Sequence, residues 1–143
     1  MIAIDTNILV AAHRADHMHH RPADAALREM CLAGIPWALP WPCAHEFLGN
    51  VTHPRIWRVP TPVNEALEAL NRWQQLPFVR MLSEGEGYWP LLRELIRGGG
   101  IVGPLVHDAR VAALCLHHGV RELWTADRDF SRFPKLRTRN PLV

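Results

Sequence analysis

Four acidic residues occupy positions from which their carboxylates can meet, and they carry the strongest functional signal in the sequence. Asp5 follows the apolar run at residues 2–4, and Asp127 closely follows another at residues 123–125. Glu46 and Asp108 lie within apolar stretches of helical spacing, where a carboxylate is unfavourable unless a cation meets it. Converging oxygen ligands suit a hard divalent cation. The four acids together therefore indicate a metal site.

Each acid also has a purely structural interpretation. Asp5 and Asp127 are both placed to cap the N-terminus of a following helix, which aspartate does well. A buried salt bridge to an arginine would explain Asp108, because Pro104 has already begun its helix. In this interpretation Glu46 is a partly exposed glutamate on a helix, and taken alone it gives the weakest evidence for a site among the four acids. Asp5 and Asp127 as a pair are harder to explain by capping, which favours a functional role for the set.

Polar residues beside these acids are expected to support them. Thr6, Asn7 and Thr125 carry hydroxyl or amide groups that can orient a ligating carboxylate and bind a metal-bound water. Asp129 has two interpretations, as a fifth acid of the site or as the cap of a turn that buries Phe130.

The elements that must position these residues alternate between strand and helix. Apolar runs predict strands at residues 2–4, 36–39, 78–82, 123–125 and 136–138. Among the helices between them, Thr61 is the expected N-cap of one, and residues 83–86 are expected to cap another. This alternation predicts one three-layer α/β domain over residues 1–143, with a central parallel sheet of four to five strands. Sites in such sheets form beyond the carboxyl ends of the strands, so Asp5 and Asp127 meet if strands one and four are neighbours.

Composition limits the class of protein. The chain has 143 residues, of which 48% are hydrophobic, enough for one real core. A net charge of +2 and a pI of 8.7 permit a polyanionic partner without requiring one. Three cysteines without CxxC spacing predict neither a disulfide framework nor a zinc knuckle, and favour the cytoplasm. No run approaches the roughly 20 apolar residues of a membrane helix, so we expect no membrane association.

The order of these motifs resembles the PIN-domain ribonucleases, and among them the VapC-type toxins of VapBC toxin–antitoxin modules. The resemblance covers essentially the whole chain and is most specific at residues 4–9, 106–110 and 119–130. It implies an α/β/α sandwich in which the four acids bind Mg²⁺, with Mn²⁺ as a substitute. It also implies cleavage of RNA by a metal-activated water, a homodimer, and inhibition by a cognate antitoxin.

Arginines and aromatic residues near the acids are candidates for contact with RNA. The arginines expected to form a basic rim are Arg14, Arg55, Arg58, Arg110, Arg128 and Arg132. Trp41 and Trp57 could stack on unpaired bases, although core packing is the commoner role for a tryptophan. Four histidines crowd residues 13–20, but their spacing makes a poor zinc site and favours a polar loop.

Three other functions remain open from the residues alone. A housekeeping ribonuclease would carry the same acids. A module that binds RNA or an antitoxin without cutting is disfavoured by the intact acids. A small-phosphate hydrolase of the haloacid-dehalogenase type also begins with an aspartate after the first strand, but it needs a second aspartate where this sequence has Asn7.

Overall fold

The computed structural model describes residues 1–143 and orders five strands and six α-helices along the chain. The strands are β1 (Ile2–Ile4), β2 (Trp37–Pro40), β3 (Val79–Leu82), β4 (Glu122–Trp124) and β5 (Thr138–Arg139). The helices are α1 (Thr6–His13), α2 (His20–Leu32), α3 (Trp41–Val51), α4 (Val63–Gln75), α5 (Tyr88–Gly99) and α6 (Leu105–His117). A short 3₁₀ helix, Arg128–Arg132, follows β4.

All five strands belong to one parallel sheet, in the order β3-β2-β1-β4-β5. Every residue of β1 is buried, as expected for a central parallel strand that is covered on both faces. The register pairs Ile4 with Trp124, so β1 and β4 end side by side. The predicted α/β class is therefore confirmed, and the condition for Asp5 and Asp127 to meet, that the first and fourth strands are neighbours, is fulfilled.

The core lies between the sheet and the helices and contains large aromatic side chains, among them Trp37, Phe47 and Phe130. Cys43 of α3 and Cys115 of α6 are fully buried in this core. None of the helices combines the length and the apolar character needed to cross a lipid bilayer.

Two predicted helix caps are wrong. Thr61 does not cap α4, because Pro62 precedes the helix and the buried Thr61 hydroxyl instead accepts a hydrogen bond from Arg14 at 3.1 Å. Residues 83–86 do not cap α5 either. That helix begins after Gly87, whose φ of 89° turns the chain in the left-handed region without a side-chain cap.

The last strand lies slightly later than predicted. Residues 136–138 were expected to form it, but Leu136 is buried in the core and pairing with β4 begins at Thr138. By contrast, β4 begins and ends one residue earlier than predicted, at Glu122–Trp124. Thr125 therefore follows the strand, where its side chain can take part in the candidate site.

Candidate metal centre

Asp5 lies at the carboxyl end of the central strand, and both of its carboxylate oxygens are held in place. One oxygen accepts from the backbone N–H of Thr6 at 2.8 Å and from the thiol of Cys43 at 3.5 Å. The other accepts from the hydroxyl of Thr125 at 2.7 Å and from the amide of Asn7 at 3.0 Å. Four donors therefore hold the Asp5 carboxylate in one orientation.

The loop after β4 is tied to the start of α1 by the same polar residues. The Asn7 amide donates to the Thr125 hydroxyl at 3.2 Å, and its carbonyl oxygen accepts from the backbone N–H of Ala126 at 3.0 Å. The Thr125 hydroxyl also accepts from the backbone N–H of Asp127 at 3.0 Å. The predicted supporting positions Asn7 and Thr125 thus join the segments that carry Asp5 and Asp127.

Asp127 caps the 3₁₀ helix, accepting from the backbone N–H of Asp129 at 2.8 Å. Asp5 caps α1 in the same way, so the capping interpretation of both residues is correct. Capping does not remove Asp127 from the cluster of acids. One carboxylate oxygen from each of Asp108, Asp127 and Asp129 lies within 4.8 Å of the others, and these three residues could hold a metal ion together.

Asp108 projects from the first turn of α6 without a cationic partner. The arginine salt bridge considered for it is absent, because Arg110, two residues on, pairs with Glu84 at 2.9 Å. Burial raises the pKa of Asp108 to about 6, and the negative charges of Asp127 and Asp5 contribute to the increase. Uncompensated negative charge of this kind favours a bound cation.

Burial also raises the pKa of Asp5, although the hydrogen bonds from Thr125 and Thr6 oppose the increase. Glu46 lies differently from the aspartates, since it is exposed on α3. Its carboxylate accepts from the Thr6 hydroxyl at 3.1 Å, which links α3 to the start of α1. Both predicted positions therefore lie at the site, with Glu46 at its outer side.

The acids form the floor of two adjoining cavities. Asp5, Glu46 and Asp108 line both a larger cavity of about 660 Å³ and a smaller one of about 370 Å³. The larger cavity is also lined by polar and basic side chains, including His45, His107 and Arg110. The smaller is also lined by Val10, His17, Asn50, Ile56 and Trp57. A chain-like ligand could therefore cross the acids with one part in each cavity.

Some features of the site could not be found from local sequence patterns. The contact between Cys43 and Asp5 joins residues 38 positions apart, and no spacing rule pairs them. Arg14, expected in the basic rim, is only 8% exposed and bonds Asp16, Val59 and Thr61, so its assignment to the rim is wrong.

The four histidines at residues 13–20 have separate partners. The ring of His13 bonds the Thr61 hydroxyl at 3.2 Å, and that of His20 bonds the carbonyl of Ala11 at 2.9 Å. His17 lies beside Trp57 at the smaller cavity, which agrees with the expected polar loop near the cleft.

Comparison with known proteins gives close relatives over the full length. The family model described as "PIN domain" matches residues 2–136. Ribonuclease VapC48 of Mycobacterium tuberculosis is 36% identical over 138 residues, which cover 96% of this chain and 94% of that protein. Ribonuclease VapC25 of the same organism is 32% identical over 143 residues, which cover 100% of both chains.

Solved structures with the same fold are more distant in sequence. VapBC2 from Rickettsia felis, bound to a DNA fragment from its promoter, superimposes with a TM-score of 0.68 at 21% identity and covers 98% of each chain. VapC20 of Mycobacterium tuberculosis, described as a toxin that cleaves the sarcin–ricin loop, gives a TM-score of 0.65 at 18% identity. It covers 92% of this chain and 93% of its own. These likenesses show the fold.

Proposed function

Because this chain belongs to the PIN domain family, among the VapC ribonucleases, we propose that it is an endoribonuclease whose acidic cluster works with a divalent cation. The observation that carries the proposal is the convergence of Asp5, Asp108, Asp127 and Asp129 from three separate elements, with no cationic side chain paired to any of them. If these acids served stability alone, each would be expected to have a cationic partner or to be replaced by an uncharged residue.

The donor set fits Mg²⁺, with Mn²⁺ as a substitute. Two oxygens bound to one Mg²⁺ lie at most about 4.2 Å apart, so oxygens within 4.8 Å of one another need only small side-chain movements. Asp108, Asp127 and Asp129 would hold the ion, and Asp5 and Glu46, which line the same cavities as Asp108, would complete the site. When bound, the ion would polarise the scissile phosphate and lower the pKa of a water.

The chain's own residues prepare this site. Thr125 and Asn7 hold the Asp5 carboxylate in one orientation, and Thr6 does the same for Glu46. Fixed acids of this kind bind a cation without first being ordered, which increases affinity. His107 and Arg110 line the larger cavity, where their N–H groups would contact phosphates of the bound strand.

We further propose that the protein is the toxin of a two-component module. Curated relatives are named VapC ribonucleases, and several structures with this fold are complexes named VapBC. A cognate antitoxin and a second copy of this chain are the expected partners, and the cytoplasm is the expected location.

Cleavage of total RNA by purified protein tests the enzymatic proposal. The wild type should give discrete fragments with Mg²⁺ or Mn²⁺ and none with EDTA, while Asp108→Asn should give none under any condition. Asp24→Asn, which neutralises a surface aspartate on α2 paired with Arg28, is the matched control and should cut like the wild type. Intact RNA in every wild-type lane, from folded protein free of antitoxin, would overturn the proposal.

Growth arrest tests the toxin role separately. Induced expression should stop growth, and co-expression of a cognate antitoxin should restore it. An active nuclease that leaves growth unaffected would instead be a housekeeping ribonuclease.

A further inference from the structure

The smaller cavity at the acidic cluster has an aromatic and apolar wall. It measures about 370 Å³, near the lower end of the range of about 300–1,000 Å³ that is usual for small-ligand pockets. Trp57 and Ile56 form part of this wall, and Ile56 is 53% exposed although it is a large aliphatic residue. The cavity shares Asp5 and Asp108 with the site proposed for cleavage. Whatever enters it therefore lies next to the reacting phosphate.

Trp57 is held rigidly in the connection between α3 and α4. The guanidinium carbon of Arg14 lies 4.2 Å from the centroid of its ring, and Arg14 is itself fixed by bonds to the Val59 carbonyl and the Thr61 hydroxyl. Arg14, Val59 and Thr61 line a different cavity from the one at the acids. The part of the Trp57 ring that Arg14 leaves uncovered is thus available to the cavity at the acids as a preformed surface.

Asn50 adds a polar group to the same wall. Its side-chain oxygen accepts from the indole N–H of Trp57 at 3.1 Å. Because the indole nitrogen can only donate, this bond fixes which end of the amide is the oxygen. The amide NH₂ of Asn50 makes no hydrogen bond within the chain, so it can donate to a ligand in the cavity.

We infer that this cavity binds one unpaired nucleobase of the RNA strand next to the cleaved bond. The Trp57 ring and Ile56 would contact the base face, and the Asn50 amide would donate to an acceptor on its edge. Because stacking on an aromatic side chain tolerates any base, the Asn50 amide would supply the preference for one base over another. The inference rests on the proposed function, since it names a part of the substrate of that site.

The structure distinguishes Trp57 from the other tryptophan considered for stacking. Both tryptophans are partly buried against the core. Trp41 is stacked through its ring on His45, with centroids 5.7 Å apart. It lines neither of the cavities at the acids. Only Trp57 of the two is therefore in a position to receive a base.

Binding of nucleotides without cleavage is the first test. The chain has six tryptophans, and in a ¹⁵N-edited NMR spectrum recorded with EDTA the Trp57 indole resonance is the one that Trp57→Phe removes. Titration with AMP, GMP, CMP or UMP should shift this resonance, whereas ribose 5-phosphate, which lacks the base, should not. A Trp57 resonance that none of the four nucleotides moves would overturn the inference and would suit a pocket for a protein side chain instead.

Matched variants in the same connection sharpen the test. Ile56→Ala should weaken the nucleotide response severalfold because it removes part of the wall. Val59→Ala, which truncates an exposed side chain on the Arg14 side, should leave the response unchanged. An equal response in both variants would contradict the assignment.

Cleavage of random-sequence RNA then links the pocket to selection of the cut site. Wild type should prefer certain bases at one position beside the cut, and Ile56→Ala should flatten that preference while Val59→Ala keeps it. Cleavage by Ile56→Ala with an unaltered base preference would refute the proposed base pocket but not the proposed nuclease activity. RNA left uncut by the wild type would refute the proposed nuclease activity. The NMR titration would still test base binding independently.

Discussion

Replacement of Asp108 by asparagine should stabilise the metal-free protein while it abolishes cleavage. Burial and the neighbouring carboxylates raise the Asp108 pKa from 3.8 to about 6 in the folded chain. Folding therefore opposes ionisation of this group, and the unfolded chain binds fewer protons than the folded one between these two values. By linkage, stability decreases as pH rises from 3.8 to 6 and stays lower above it.

The size of the effect follows from the same shift. At 1.36 kcal/mol per pKa unit, the full increase corresponds to about 3 kcal/mol. Because the Asp108 side chain is partly solvated, screening reduces this, and we expect about 1 kcal/mol. For a chain of this length, that is an increase in Tm of about 3–4 °C for Asp108→Asn at neutral pH. Below pH 3.8 both states of the wild type are protonated, and the difference should vanish.

Thermal unfolding in EDTA at several pH values measures this directly. Glu29→Gln, which neutralises an exposed acid on α2 without an ion pair, is the control and should change Tm little. Addition of Mg²⁺ should stabilise the wild type more than Asp108→Asn, so the difference in Tm between them should shrink or change sign. Equal stability of wild type and Asp108→Asn in EDTA at neutral pH would refute the view that these acids repel one another in the folded protein.

Three further outcomes follow from individual contacts. Thr125→Val removes the hydroxyl that bonds Asp5 at 2.7 Å and should reduce cleavage about 10–100-fold in a steady-state assay, whereas Thr125→Ser should retain most of it. Arg14→Ala removes a buried guanidinium that bonds Thr61 and should lower the free energy of unfolding by about 2–3 kcal/mol in urea titrations; unchanged stability would contradict its anchoring role. Asp129→Asn should weaken Mg²⁺ binding about tenfold in isothermal titration calorimetry, since it removes one of three charged oxygen ligands; equal affinity would exclude it from the site.

The sheet and the position of the acids were predictable because they depend on regular geometry. Strands that alternate with helices form a parallel sheet, and such a sheet brings its carboxyl ends to one edge. This rule places Asp5 and Asp127 together once β1 and β4 are neighbours. Helical periodicity likewise places Asp108 beside the inward face of α6.

Contacts made by irregular segments were not predictable in the same way. Arg14 was expected at the surface because arginine usually is, but the connection after α3 folds over it and supplies Val59 and Thr61 as partners. The cap expected at Thr61 failed for the same reason, since its hydroxyl is used by that distant arginine. No local pattern encodes such pairings, because they depend on the path of a loop through space.

The assignment of Asp129 shows an intermediate case. Its sequence position allowed two roles, as a fifth acid or as the cap of the turn that buries Phe130, and the structure contradicts the second. The N–H of Asp129 satisfies the cap at Asp127, while its carboxylate joins the group with Asp108. The cap of that turn is Asp127, two residues earlier, so the Asp129 carboxylate is left for the role of fifth acid.

The double role of Asp5 and Asp127 as helix caps and cleft acids bears on how such a protein can lose its activity over generations. A substitution at either residue by one that cannot cap, such as alanine or valine, also destabilises a protein by about 1 kcal/mol, so it impairs folding together with function. Asp108 caps nothing, and its replacement should relieve repulsion. A lineage under pressure to silence this protein but keep its binding surfaces should therefore accumulate changes at Asp108 first and retain Asp5 and Asp127 long after catalysis is gone.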